Sequence, residues 1–360
     1  MSLPVADPAA LLRALVDIPS VSGGEARIAD AVELALRGAP HLDVGRDGNT
    51  VWARSALDRS SRVIIAGHLD TVPVAGLLPS RPMTGPDGTP WLLGRGAVDM
   101  KGGVAVMVHL ATTLVAPVRD VTWLFYDCEE IEAERNGLGH LAAARPELLR
   151  GDLAILMEPT DGVVEGGCQG SMRFTVTTRG KAAHSARPWQ GDNAVHKMAA
   201  VLDALLESQS AFAPEVVDGL TYREALNATV IEGGTAGNVI PDRCVAQLNY
   251  RFAPSTSAQQ AEDRMRGLFG DLGEMHVLDL SPGARPGLDQ PAVASFVAAV
   301  GGEPRPKFGW TDVARFAALG VPALNYGPGD PAGAHSDHEA VSLAQVGGCA
   351  DSLRRFLGGA

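Results

Sequence analysis

Short apolar runs separated by longer stretches of helical spacing set the plan of this chain. Arg62-Val-Ile-Ile-Ala-Gly67, Val121-Thr-Trp-Leu-Phe-Tyr126, Asp152-Leu-Ala-Ile-Leu-Met157 and Val321-Pro-Ala-Leu-Asn-Tyr326 are each bounded by chain breakers. Unbroken apolarity over so few residues predicts strands covered on both faces, as in a parallel sheet. Residues 9–18, 25–37 and 104–114 carry helical patterns, the second after the capping-type segment Ser20-Val-Ser-Gly-Gly24. Alternation of the two kinds of segment predicts an α/β layer architecture with a mostly parallel central sheet.

Residues 171–284 follow another rhythm. A strand at 172–178, a helix at 190–208, strands at 227–231 and 244–252, a helix at 257–270 and a strand at 275–280 give the order β-α-β-β-α-β. That order predicts a ferredoxin-like α+β unit. It interrupts the α/β domain, so the expected boundaries are 1–170 with 285–360 for the α/β domain and 171–284 for the insert.

A length of 360 residues agrees with two domains, and 46% hydrophobic with 20% charged residues is the composition of an ordinary globular protein. Acidic residues outnumber basic ones 42 to 30, and the formal charge of −12 disfavours nucleic acid or an anionic membrane as partner while suiting cations. Cys128, Cys168, Cys244 and Cys349 show no CxxC spacing, so neither a thiolate zinc site nor a disulfide framework is expected. The first residues lack the pattern of a signal peptide, and no apolar run reaches the roughly 18 residues of a membrane span. The expected location is the cytoplasm.

Candidate chemistry sits where the apolar runs end. His68-Leu-Asp70 follows the first, Asp127-Cys-Glu129-Glu130 the second, Glu158-Pro-Thr the third, and His335-Ser-Asp-His338 the fourth after a Gly/Pro-rich loop. Asp99 lies in the glycine-rich turn Gly94-Arg-Gly-Ala-Val-Asp99-Met-Lys-Gly-Gly103 before a helix. Open α/β sheets bind ligands beyond the carboxyl ends of their strands. The glycine-rich turn matches neither the Walker A nor the GxGxxG pattern, which disfavours a nucleotide. Residues two apart in an extended chain point the same way. Asp70 can therefore hold one ring nitrogen of His68 while the other binds a metal. Paired glutamates allow one metal ligand and one proton acceptor. Spacing leaves open whether His335 or His338 is the ligand.

These segments, in this order and spacing, resemble the dinuclear zinc amidohydrolases of the aminoacylase and carboxypeptidase type, across essentially the whole chain. Within that group, the stretch Glu129-Glu-Ile-Glu-Ala-Glu-Arg-Asn-Gly-Leu-Gly-His140 most resembles the succinyl-diaminopimelate desuccinylases of actinobacteria. The resemblance implies a zinc-peptidase-like fold and two zinc ions per subunit, with cobalt or manganese as substitutes. His68 and Glu158 would hold one ion, Glu130 and His335 the other, and Asp99 both. It makes Glu129 the general base, Asp70 the support of His68, and His184 an oxyanion donor reaching across a homodimer formed by the insert. Arg251, Asn238 and Thr311 would contact a small acyl-amino acid, with N-succinyl-LL-2,6-diaminopimelate as the expected substrate and acetylornithine or a peptide as alternatives. Gly167-Cys-Gln-Gly-Ser171 lacks an arginine, and Pro331-Ala-Gly-Ala334 an asparagine, that related enzymes carry. A non-catalytic, zinc-stabilised binding protein is the alternative of another class.

Overall fold

Strands form where the apolar runs predict them. The computed structural model describes residues 2–86 and 88–358. Its first compact unit comprises the chain up to Gly166, Gly287–Arg305 and the chain from Arg315 onward. This unit is built on an eight-stranded sheet of β1 (Asp43–Asp47), β2 (Thr50–Arg54), β3 (Arg62–His68), β4 (Asp120–Tyr126), β5 (Leu153–Leu156), β6 (Glu165–Gly166), β7 (Arg305–Pro306) and β8 (Ala323–Asn325). Their spatial order is β1-β2-β4-β3-β5-β8-β6-β7. β4, β3, β5 and β8 run parallel, while β1, β2 and β6 pair antiparallel with their neighbours.

Every residue of β4 and β5 is buried, as the unbroken apolar runs require. Helix α1 (Pro8–Val16) is capped by Asp7, whose carboxylate accepts from the Ala9 N–H at 2.9 Å. Helices α2 (Ala26–Arg37), α3 (Lys101–Thr113), α4 (Pro291–Val300) and α5 (Leu343–Gly358) complete the layers. α3 is buried continuously from Lys101 to Ala111, the behaviour of a helix that is apolar all round. It begins three residues before the predicted 104 because the glycine-rich turn closes on it directly: the Lys101 N–H donates to Gly96 O at 2.7 Å. A small antiparallel sheet of Arg81–Thr84, Pro90–Leu93 and Ala340–Ser342 joins the segment before Asp99 to the segment after His335.

The second unit comprises Gly167–Pro286 and Pro306–Ala314. Strands Ala225–Gly233, Arg243–Phe252, Gly170–Arg179 and Glu274–Ser281 lie side by side in that order, all antiparallel, with helices Ala194–Ala211 and Ala258–Phe269. This is the ferredoxin-like arrangement. Arg243–Phe252 alternates strictly, burying Cys244, Ala246, Leu248, Tyr250 and Phe252 against Met198, Val201, Met265 and Phe269 of the two helices. Residues 306–314, expected in the α/β domain, group with the insert. This stretch is hydrogen-bonded there: the Gln169 N–H and the Cys168 thiol donate to Lys307 O and Thr311 O, and the Trp310 side chain donates through Nε1 to Pro282 O.

Candidate metal centre

The ends of three parallel strands and two loops bring His68, Asp99, Glu129, Glu130, Glu158 and His335 together within the first unit. His68 is the last residue of β3, Glu129 and Glu130 follow β4, and Glu158 follows β5. Asp99 precedes α3, and His335 lies in the loop after β8. Potential ligand atoms of His68, Asp99 and Glu158 lie within 4.8 Å of one another, as do those of Asp99, Glu130 and His335, and of His68, Glu129 and Glu130.

Asp99 is the hinge of this arrangement. Its Oδ1 faces His68 Nε2 at 3.1 Å and its Oδ2 faces His335 Nε2 at 3.3 Å, one oxygen for each imidazole. His335 Nε2 also lies 2.8 Å from Glu130 Oε1. His338 lies outside the cluster that His335 joins, so geometry separates two histidines that spacing could not. Cys128 and His335 both adopt left-handed backbone conformations, with φ of 56° and 60°. Such strain in residues other than glycine is concentrated where a loop must aim a functional group.

Electrostatics follow from the crowding. Burial lowers the pKa of His68, but its bonds to Asp70 and Asp99 outweigh this and hold it well above the usual imidazole value. Hydrogen bonds donated to Asp99 and then to Glu130 raise His335 to about 10. Burial raises Asp99, yet the two imidazoles bring it below the ordinary carboxylate range. Four carboxylates at one place repel unless cations hold them. The donors are imidazole nitrogens and carboxylate oxygens with no thiolate, a set suited to zinc and its close relatives. This donor set fits divalent metal ions.

Asp70 has a different surrounding. It is fully buried, and its oxygens accept from the Glu129 N–H at 3.0 Å, the Glu130 N–H at 3.1 Å and Ser22 Oγ at 2.7 Å. His68 Nδ1 lies 3.0 Å from the Asp70 backbone oxygen and 3.4 Å from its carboxylate. Asp70 thus grips the glutamate loop as well as the imidazole.

Sequence reasoning missed the contacts of five further residues. Ser20 and Ser22 do not cap α2, whose N-cap residue Glu25 makes no side-chain capping bond; Ser20 Oγ donates instead to Leu69 O at 2.7 Å. Glu25 accepts from the Cys128 N–H at 3.3 Å. Arg95 and Glu339 form a buried ion pair at 2.7 Å, and Glu339 accepts from the backbone N–H groups of Val98 and Asp99. A charged residue in a segment that must be buried was the available signal.

The other candidates belong to the second unit. His184 is exposed, and the Ala186 N–H donates to its Nδ1 at 3.1 Å, which leaves the ring proton on Nε2. Asn238 is close by in the same unit, its backbone oxygen accepting from the Ser185 N–H at 2.9 Å. Arg251 Nε bonds to Asn249 Oδ1 at 3.2 Å, and burial lowers its pKa. Thr311 is buried.

Residues 167–275 match the model of a peptidase dimerisation domain of the M20 type, and residues 49–200 match peptidase family M28. A Mycobacterium tuberculosis protein named "Putative succinyl-diaminopimelate desuccinylase DapE" is 52% identical over 98% of both chains. The succinyl-diaminopimelate desuccinylase of Corynebacterium glutamicum is 46% identical over 98% of this chain and 96% of its own. A tripeptidase structure from Staphylococcus aureus shares the fold, with a TM-score of 0.77 and 18% identity over 99% of both chains. No helix among the described residues is long and apolar enough to cross a membrane. By its similarity along almost its whole length, this chain belongs to the succinyl-diaminopimelate desuccinylase family of metal-dependent amidohydrolases.

Proposed function

We propose that the chain hydrolyses the amide of N-succinyl-LL-2,6-diaminopimelate to succinate and LL-2,6-diaminopimelate, as a cytoplasmic homodimer with two zinc ions per subunit. The observation that carries this reading is the gathering of two imidazoles and four carboxylates, Asp99 among them, in a chain so similar to two proteins bearing the desuccinylase name. In this reading His68 and Glu158 would hold one ion and Glu130 and His335 the other, with Asp99 as a ligand to both. When bound, such ions supply a nucleophilic water at neutral pH and offset negative charge on the amide oxygen.

The remaining work falls to side chains. Glu129 takes the proton from water as it attacks the amide carbon, then returns it to the departing nitrogen, which would otherwise be a poor leaving group. Asp70 keeps His68 in one tautomer and fixes the backbone that carries Glu129. Family resemblance assigns His184 Nε2–H, acting across the dimer, to the developing oxyanion. It assigns Arg251 as a fork for a substrate carboxylate, with Asn238 and Thr311 as polar contacts.

The test is kcat/KM of zinc-loaded protein for N-succinyl-LL-2,6-diaminopimelate against N-acetylornithine and a small peptide panel. Preference for the succinylated substrate is the expected result. Preference for another member redirects the specificity, and no hydrolysis of any of them leaves a binding protein.

A further inference from the structure

We infer that Glu339, clamped by Arg95, is a positioning residue that sets the Asp99 carboxylate between the two imidazoles. Both partners are buried, at 1% and 4% exposure. Glu339 Oε1 accepts from the Val98 N–H at 3.0 Å and the Asp99 N–H at 3.1 Å, while Oε2 accepts from Arg95 Nη1 at 2.7 Å. Arg95 is fixed in turn, since its Nε donates to Pro73 O at 2.9 Å. The Gly94 N–H donates to the backbone oxygen of Glu339 at 3.0 Å, next to the pairing of Ala340 with Leu93.

Glu339 and His335 share one loop, so the segment that delivers His335 also holds the backbone of Asp99. His335, which faces Asp99 Oδ2, is thereby coupled through the chain to the carboxylate that accepts from the Asp99 N–H. A buried ion pair contributes little net stability, because desolvation cancels most of its attraction. Its value here is geometric. An apolar pair in its place would leave two N–H groups buried without acceptors and the Asp99 backbone without a fixed orientation.

This inference rests on the reading of Asp99 as a shared metal ligand, and the experiment separates the two. Co2+ alone is titrated into metal-free wild type, Glu339→Gln, Glu339→Ala and Asp99→Asn against a competing chelator, with the visible Co2+ spectrum recorded. Thermal melts of the metal-free proteins establish which variants fold. Glu339→Gln keeps the volume and one acceptor oxygen, so it decides the matter if Glu339→Ala does not fold. Affinity lowered about 10- to 100-fold with a changed spectrum in the folded Glu339 variants is expected for lost support of a ligand. A lower melting temperature with wild-type affinity and spectrum means a structural role only and overturns the inference while Asp99→Asn still loses affinity. Unchanged affinity in Asp99→Asn overturns the metal reading and the inference with it.

Discussion

Buried Asp70 and half-buried Asp99 show how far surroundings decide a carboxylate's role. Asp70 accepts from two backbone N–H groups and a serine hydroxyl, whereas Asp99 turns its two oxygens to two imidazoles. Asp70→Asn replaces one acceptor with an NH2 group facing backbone donors. A fall of about 10- to 100-fold in metal affinity or activity is expected, as for other supports of metal ligands, and chelator competition with kcat would measure it. The thiols make a separate prediction. Burial pushes Cys168 up to about 11 and Cys349 up to about 12 from 9.0. The unfolded chain therefore loses these protons first, and their contribution to stability is lost as pH rises above 9. The urea midpoint should fall on that alkaline limb, and less steeply in Cys349→Ala; parallel limbs would contradict the assignment.

At the scale of elements, close packing explains glycines whose role the sequence left open. A Cβ on Gly103 would stand 2.1 Å from the Met157 backbone oxygen, and one on Gly327 would stand 2.5 Å from the same atom and 2.6 Å from Glu158 O. The end of β5 is thus held between α3 and the loop after β8, which aims Glu158. Gly103→Ala must move one of these backbones. A stability loss of about 1–3 kcal/mol is expected for overpacking, with weaker metal binding, measured by denaturant unfolding and chelator competition. The strand ends that carry His68, Glu129, Glu130 and Glu158 were legible because unbroken apolar runs mark buried parallel strands. Glu25, Arg95 and Glu339 were not, because their contacts join residues 103, 244 and 240 positions apart and no local period records such pairs. Ser22 shows the same limit: a helix-cap signal was read correctly as polar and wrongly as local.

At the scale of the molecule, the inserted unit carries the match to a peptidase dimerisation domain, while His68, Asp99, Glu129, Glu130, Glu158 and His335, the candidate metal-site residues, all lie within the other unit. If His184 acts across a dimer, mixing His184→Ala with Glu129→Gln chains should restore activity, since one of the two composite sites then has both groups. Proven subunit exchange without recovery contradicts that role. The central claim is that the cluster is a hydrolytic metal centre in which Glu129 carries the proton. It is tested most directly by metal-to-protein ratio and kcat on N-succinyl-LL-2,6-diaminopimelate, measured for zinc-loaded wild type and Glu129→Gln together. The account predicts equal metal content, hydrolysis by wild type and a kcat at least about 10²-fold lower in the variant. Undiminished kcat in Glu129→Gln, or no hydrolysis by metal-loaded wild type, would contradict it.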